Sequence, residues 1–502
     1  MLVRLLRKSY ITFLRDTMDT LNKTIKKLNE GEYQELLSAV AGRKNNKPYL
    51  VLEAARKENY DESQMMDLLG VNPSTYYTLK SRLNERIAQY LSKNVKNPIS
   101  ALKDKVAMVP AMLFSNDREV AIRALKNLEK QLIEYDLSNE LIVVYKVLAR
   151  LSMYNGDFDY YEKEYNRHVA YSLAVVKAED LFYDFVKRAG NYQLTRDERD
   201  LEAVQANLRE LTNISELYHG HRLFILYNIV RIYYLCLFTS RSENLKSLEL
   251  EVDGILQQIK KNFEKFELDT FYQSIKFMVD YLYFEYYQKT GNSVRADHYY
   301  KIINKDVPEV AFRPMFSFYV TQFLQSKIER FMESGNISDL NDLNAELEPN
   351  FDVDPNEPYP YVSFRRFLAV CKFYEGDYSS AARTMNSLRN ELSLKKYLFT
   401  DVEYKLFQAL QYCFMGEDGL CSQLLQSVKR QITDDEKLYE PALIFIKMLK
   451  TAIKPEEFRK KVKKLTEIYD NFCQANVGNK RMLWYVKLDE ALIRRMANPI
   501  KE

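Results

Sequence analysis

The spacing of apolar residues constrains this chain more than any other feature. In Phe271-Tyr272, Ile275, Met278-Val279, Leu282-Tyr283 and Tyr286 they return every three and four positions. That places them on one stripe of a helix and off any strand. Segments of this kind recur almost without interruption from residue 100 onward, separated by short breaks of Gly, Asn, Asp or Ser. The punctuation agrees. The 502 residues hold 13 Gly and 13 Pro, about half or less of the usual ~7% and ~5%. Sheets need more tight turns than that. The expected fold class is all-α, with helices joined by short polar loops.

A weak internal repeat organises these helices. In Leu368-Ala369-Val370-Cys371-Lys372-Phe373-Tyr374-Glu375-Gly376-Asp377-Tyr378-Ser379-Ser380-Ala381, small residues flank a Gly turn inside an aromatic-rich run. Ala409, Gly416 and Cys421 repeat the same offsets, and Ala149 with Gly156-Asp157-Phe158 gives another copy. Tyr287, Gly291 and Ala296 give a fourth, and Glu333-Ser334-Gly335-Asn336 a poorer fifth. Two antiparallel helices approach closely only where side chains are small, so Ala or Cys marks the crossing. The intervening Gly takes positive φ and ends the first helix. Each hairpin alone leaves an apolar face bare, so neighbours must stack. Most of the 38 Tyr are expected in that interhelical core.

These hairpins resemble the tetratricopeptide (TPR) family, whose signature is the Gly-Asp-aromatic turn between small residues. The resemblance covers about residues 110–500 and is strongest at Gly156, Gly376 and Gly416. It is degenerate. The 40-residue step from Gly376 to Gly416 exceeds the family's 34, and Tyr161 stands where a small residue belongs. The resemblance implies an α-solenoid that binds a protein or peptide partner in a concave groove. Polar residues on the first helix of each pair, Arg231, Arg365, Arg366 and Lys372, are the groove candidates; the same residues also suit a solvated face. Residues 349–360 hold four prolines, and no helix interior tolerates that. A loop or hinge is expected there, between array blocks 101–348 and 361–502.

The first hundred residues differ. They carry 17 Lys and Arg against 11 Asp and Glu, an excess of +6, so the other 402 residues bring the total down to +3. Within this basic domain, residues 61–90 read as a short helix ending at Leu69, a Gly70 turn, and a second helix from Pro73. Asn72 can cap that helix, and Pro73 suits its first position. The unit resembles the helix-turn-helix of bacterial regulators. Its second helix would turn Ser74, Thr75, Thr78, Lys80, Ser81 and Arg82 outward, toward bases and phosphates. Such units also serve as docking modules. Some bacterial regulators join a helix-turn-helix to a TPR array in this order, and the layout here resembles them.

Composition closes other routes. With 28% charged and 46% hydrophobic residues, wholesale disorder is excluded, and a net charge of +3 excludes a globally basic nucleic-acid coat. Cys236, Cys371, Cys413, Cys421 and Cys473 are odd in number and widely spaced, which suits buried reduced thiols in a cytoplasmic protein. The longest purely apolar stretch, Ile232 to Phe238, falls far short of the ~20 residues of a membrane span. The opening Met1–Lys8 is basic but too interrupted for a signal peptide. No phosphate loop, dinucleotide fingerprint, nucleophile elbow or zinc-protease motif occurs. His219-Gly220-His221 is the sole histidine cluster, and two ligands do not make a zinc site. No enzyme, cofactor or metal is expected. Two functions remain: a non-enzymatic scaffold or adaptor acting through the array, or a transcription regulator contacting double-stranded DNA through the amino-terminal unit, with the array as sensor or dimerisation domain.

Overall fold

The structure is a computed structural model. It describes residues 33–498 except 35, 39–45, 58–61, 94–97, 116, 155, 239–248, 268, 312, 352, 433–435, 478–480 and 488; the basic opening segment lies outside the described residues. Those described are helical with no strand, and none of their helices is long and apolar enough to cross a membrane. The chain divides into two compact units, Met1–Ala101 and Leu102–Glu502.

In the first unit, α1 (Lys47–Lys57), α2 (Glu62–Leu69) and α3 (Pro73–Lys93) pack around Leu36, Val51, Leu52, Met65, Tyr76 and Leu83. The helix α4 (Pro98–Met108) contains the division. The second unit continues with α5 (Arg118–Glu134), α6 (Ser138–Leu151), α7 (Phe158–Thr195), α8 (Glu198–Leu217), α9 (His221–Phe238) and α10 (Glu249–Lys265). Then follow α11 (Thr270–Thr290), α12 (Ser293–Val310), α13 (Ser317–Ser334) and the short α14 (Ile337–Asn341) and α15 (Asn344–Asn350). The last are α16 (Pro358–Tyr374), α17 (Tyr378–Glu391), α18 (Leu398–Phe414), α19 (Asp418–Gln431), α20 (Glu436–Ala452), α21 (Phe458–Ala475) and α22 (Glu490–Ala497).

Local chemistry explains where these helices begin and end. Gly291, Gly335, Gly376 and Gly416 all adopt positive φ, between +71° and +87°. After Gly376 the chain closes the first helix by Asp377 N donating to Lys372 O at 3.0 Å. Gly416 does the same through Glu417 N and Tyr412 O at 2.9 Å. These bonds satisfy carbonyls that a bare helix end would orphan. The next helix is capped at once: Asp377 Oδ1 accepts from Ser380 N at 2.9 Å. Ala369, Ala381, Ala409 and Cys421 are fully buried, and α16 packs on α17 as α18 packs on α19.

The turn at Gly156 departs from this pattern. Gly156 has no positive φ, and the helix after it, α7, runs for 38 residues, about 57 Å at 1.5 Å per residue. In an open stack each repeat touches only its neighbours. α7 instead packs on α6, α8 and α9 and also on the distant α16 and α18. Gly190 permits the close crossing, since a Cβ there would lie 3.0 Å from Tyr359 Cβ. Tyr359 OH donates to Gln193 Oε1 at 2.9 Å and Thr400 Oγ1 to Leu194 O at 2.8 Å. Each bond contributes about 0.5–1.5 kcal/mol net. Buried Phe185, Leu194 and Phe399 contribute about 1.5–3 kcal/mol apiece, so apolar packing dominates this closure.

The proline-rich segment is shorter as a loop than its composition predicts. Pro358 sits in the first turn of α16, where a missing N–H costs nothing. Phe351 and Val353 are buried, and the Phe351 ring meets Phe364 at 4.7 Å. Phe351 and Val353 therefore belong to the core while Asp354, Pro355 and Asn356 are exposed, and residues on both sides of the segment belong to one compact unit.

Candidate functional site

In the first unit, the turn between α2 and α3 is built from local bonds. Gly70 adopts φ +57°, Val71 N donates to Met66 O at 3.1 Å, and Asn72 Oδ1 accepts from Thr75 N at 2.9 Å. Tyr76, Leu83 and Ile87 anchor α3 inward. Ser74, Thr75, Thr78, Ser81 and Arg82 are exposed. The Thr78 hydroxyl donates to Ser74 O at 2.8 Å, which leaves its lone pairs outward. Lys80 is a correction: it is 2% exposed, with its ammonium 6.0 Å from the Tyr77 ring centre. The reason is helical phase, since Tyr76, Lys80, Leu83 and Ile87 lie on one stripe. Arg86, one turn beyond Arg82, is exposed in its place; its spacing of four was the signal that could have found it. Neither Arg82 nor Arg86 makes an ion pair among the described residues. From Ser74 to Arg86 this face is about 18 Å long, and a B-DNA major groove about 12 Å wide admits such a helix.

In the second unit, the four groove candidates do not converge. Arg231 pairs with Glu251 at 2.7 Å, Arg365 with Glu391 at 3.1 Å, and Lys372 with Glu348 at 2.7 Å. Arg366 points the other way from Arg365 and is 7% exposed. Its Nη1 reaches Gln325 Oε1 and its Nη2 reaches Glu403 Oε2, both at 3.4 Å. The segment 482–487 covers this neighbourhood. Leu483 N donates to Glu403 Oε1 at 2.8 Å, and Lys487 N donates to Tyr374 OH at 2.7 Å. Tyr485 is fully buried, its ring 5.1 Å from Phe407. Part of the space beside α16 and α18 is thus taken up by the chain itself. Sequence reasoning missed Glu403 and Leu483, which carry no local signal.

The histidines sit elsewhere. A cavity of about 400 Å³ among α5 to α9 is bordered by Glu129, Asp136, Glu164, His168, His219 and His221. Its groups are engaged in holding helices together. Glu129 accepts from Tyr145 OH at 2.8 Å and Asp136 from Tyr171 OH at 2.9 Å. His221 bonds Tyr272 OH at 2.7 Å and stacks on Phe266. Burial lowers the pKa of both His168 and His221, so their neutral forms are favoured. Among the described residues no three His, Cys, Asp or Glu are placed to hold a metal ion.

By its fold the chain is an all-helical protein of many packed helices, most of them paired with sequence neighbours. Comparison with family models, with curated proteins and with solved structures finds no match to any of them.

Proposed function

We propose that this protein is a DNA-binding regulator, in which α3 of a helix-turn-helix enters the major groove and the TPR-like array senses a partner or ligand. One observation carries the reading. The exposed face of α3 carries hydroxyls and two guanidiniums without an ion pair among the described residues, Ser74, Thr75, Thr78, Ser81, Arg82 and Arg86, on a helix capped by Asn72. Arg presents a fork that suits guanine or phosphate, and Ser and Thr contact either. The array, by contrast, has its candidate cations already paired or buried, which weakens an open groove there.

The test is fluorescence anisotropy of the full chain with a random duplex over rising salt. Affinity should fall linearly in log-log form, and Arg82→Ala/Arg86→Ala should flatten the slope by about 2. Thermal stability should be unchanged, because both side chains are exposed. An equal slope in wild type and double variant, or no binding at low salt, refutes the reading.

The second reading, a non-enzymatic protein scaffold, is favoured by an exposed apolar strip on α7. Leu173, Val176 and Tyr183 are 68%, 48% and 58% exposed at spacings of three and seven. Protein contact there is compatible with DNA contact by α3.

A further inference from the structure

Where the end of α7 meets α11, α13, α16 and the 481–484 segment, the second unit forms a partly open cavity of about 160 Å³. Arg196 and Arg366 both line it. The Arg196 guanidinium rests over the rings of Tyr192 and Phe399, 5.7 and 5.3 Å from their centres. It makes no ion pair among the described residues, and its Nε has no acceptor. Arg366 shares the single carboxylate of Glu403 with the Leu483 N–H, and its Nε is also without an acceptor. Gln322 Nε2, 5% exposed on the same wall, is a third orphaned donor. Lys289 and Glu285, also lining the cavity, neutralise each other at 3.5 Å. With Arg481 and Glu329, which also line it, the cavity and its Glu403 neighbour bring together four cations and three carboxylates, and three N–H donors lack acceptors.

Buried donors without acceptors and buried charge without a counter-charge are each costly. Both deficits have the same sign: the site is short of oxygen atoms and of one negative charge. Aromatic walls from Tyr192, Phe238, Tyr281 and Trp484 border the same space. We infer that this cavity is a binding site for a small organic monoanion, a free carboxylate with a compact apolar body of about six to ten heavy atoms. The carboxylate sits against the Arg196 and Arg366 guanidiniums and the Gln322 amide that line the cavity, and the apolar body lies against the rings. The surplus of one positive charge suits a carboxylate better than a dianionic phosphate. The volume suits a free molecule better than an extended peptide. Burial, partly offset by the Glu403 charge, lowers the pKa of Arg196 from its ordinary value, whereas for Arg366 burial is outweighed by Tyr404 and Glu403, which raise its pKa, so Arg196 is the less compensated of the two.

The inference is independent of DNA binding by α3 and is tested apart from it. The full chain is titrated by calorimetry and thermal melting with benzoate, 4-methylpentanoate, benzamide, inorganic phosphate and a pentapeptide with a free carboxyl terminus. At least one free carboxylate should bind and raise Tm saturably, while benzamide and phosphate do not. Arg196→Gln should weaken that binding by at least about thirtyfold, yet melt no lower than wild type without ligand, because it removes the uncompensated charge. Gln322→Leu, which removes one donor at little change of volume, should weaken it about tenfold. Failure of both carboxylates to bind overturns the inference. So does equal binding of benzamide or phosphate, binding of the peptide alone, undiminished binding in Arg196→Gln, or a clear fall in its unliganded Tm.

Discussion

Gly220→Ala tests the tightest backbone approach in the second unit. A Cβ at position 220 would lie 2.8 Å from Tyr171 Cζ and 2.5 Å from Asp136 Oδ2, and it would overlap the Tyr171 hydroxyl oxygen. Gly220 does not have positive φ, so alanine meets no backbone objection and the effect is one of space alone. The obstruction cannot swing aside cheaply. Tyr171 is 6% exposed, and its hydroxyl is held by Asp136, which also accepts from Arg222 N at 3.2 Å. Expelling the ring tip forfeits a hydrogen bond to a carboxylate, about 1.5–3 kcal/mol, and adds overpacking of about 1–3 kcal/mol. A total of about 2.5–6 kcal/mol follows. For a unit of some 400 residues that is a Tm fall of roughly 3–7 °C, taking about 2.1 cal/mol/K of unfolding entropy per residue. The assay is calorimetric melting of the full chain, with Gly220→Ala/Tyr171→Phe alongside. Removing the hydroxyl removes the worst overlap, so the double variant should lose less than the sum of the singles. A Gly220→Ala protein melting within 1 °C of wild type, or strict additivity, would refute the packing argument.

Two further outcomes follow from burial. Cys236, Cys371, Cys413 and Cys421 are buried and Cys473 is exposed, and burial pushes the Cys371 and Cys421 thiols up to about 12. A thiol reagent at pH 8 should therefore modify one cysteine in the native chain and five after denaturation; rapid reaction of two or more would contradict the structure. Burial also holds the pKa of His168 and His221 below the usual 6.5. The unfolded chain then takes up protons that the folded chain refuses, so their contribution is intact above about pH 6.5 and lost as pH falls through the lowered folded values. Melting temperature should drop from pH 7.5 to 5.0 less steeply in His168→Gln/His221→Gln than in wild type, and parallel curves would exclude this linkage.

Much of the local structure was legible. The helix starts at Asn72-Pro73 and Asp377, the left-handed ends at Gly291, Gly335, Gly376 and Gly416, and the buried Ala369 and Ala381 all stand where spacing puts them. The exposed strip on α3 was nearly so; only Lys80 was out of phase, and Arg86 was overlooked. Less was legible where one signal admits two outcomes. Gly156 resembles Gly376 in its neighbours yet leads into a helix of 38 residues, and prolines 358 and 360 start a helix that composition alone argued against.

Caps, periodicity and glycine turns are decided within about five residues, because that is the reach of a helical hydrogen bond; the sequence by itself therefore determined the all-helical class and the helix ends at Leu69, Pro73, Gly291, Gly335, Gly376 and Gly416. Tertiary structure alone decided that α7 closes onto α16 and α18, that Arg196, Gln322 and Arg366 line one cavity, and that Glu403 joins Arg366 to the Leu483 N–H beside it. Those partners lie up to nearly 290 positions apart. Nothing local distinguishes a cation destined for that interior from one destined for solvent, since the difference is made by whichever distant surface packs over it.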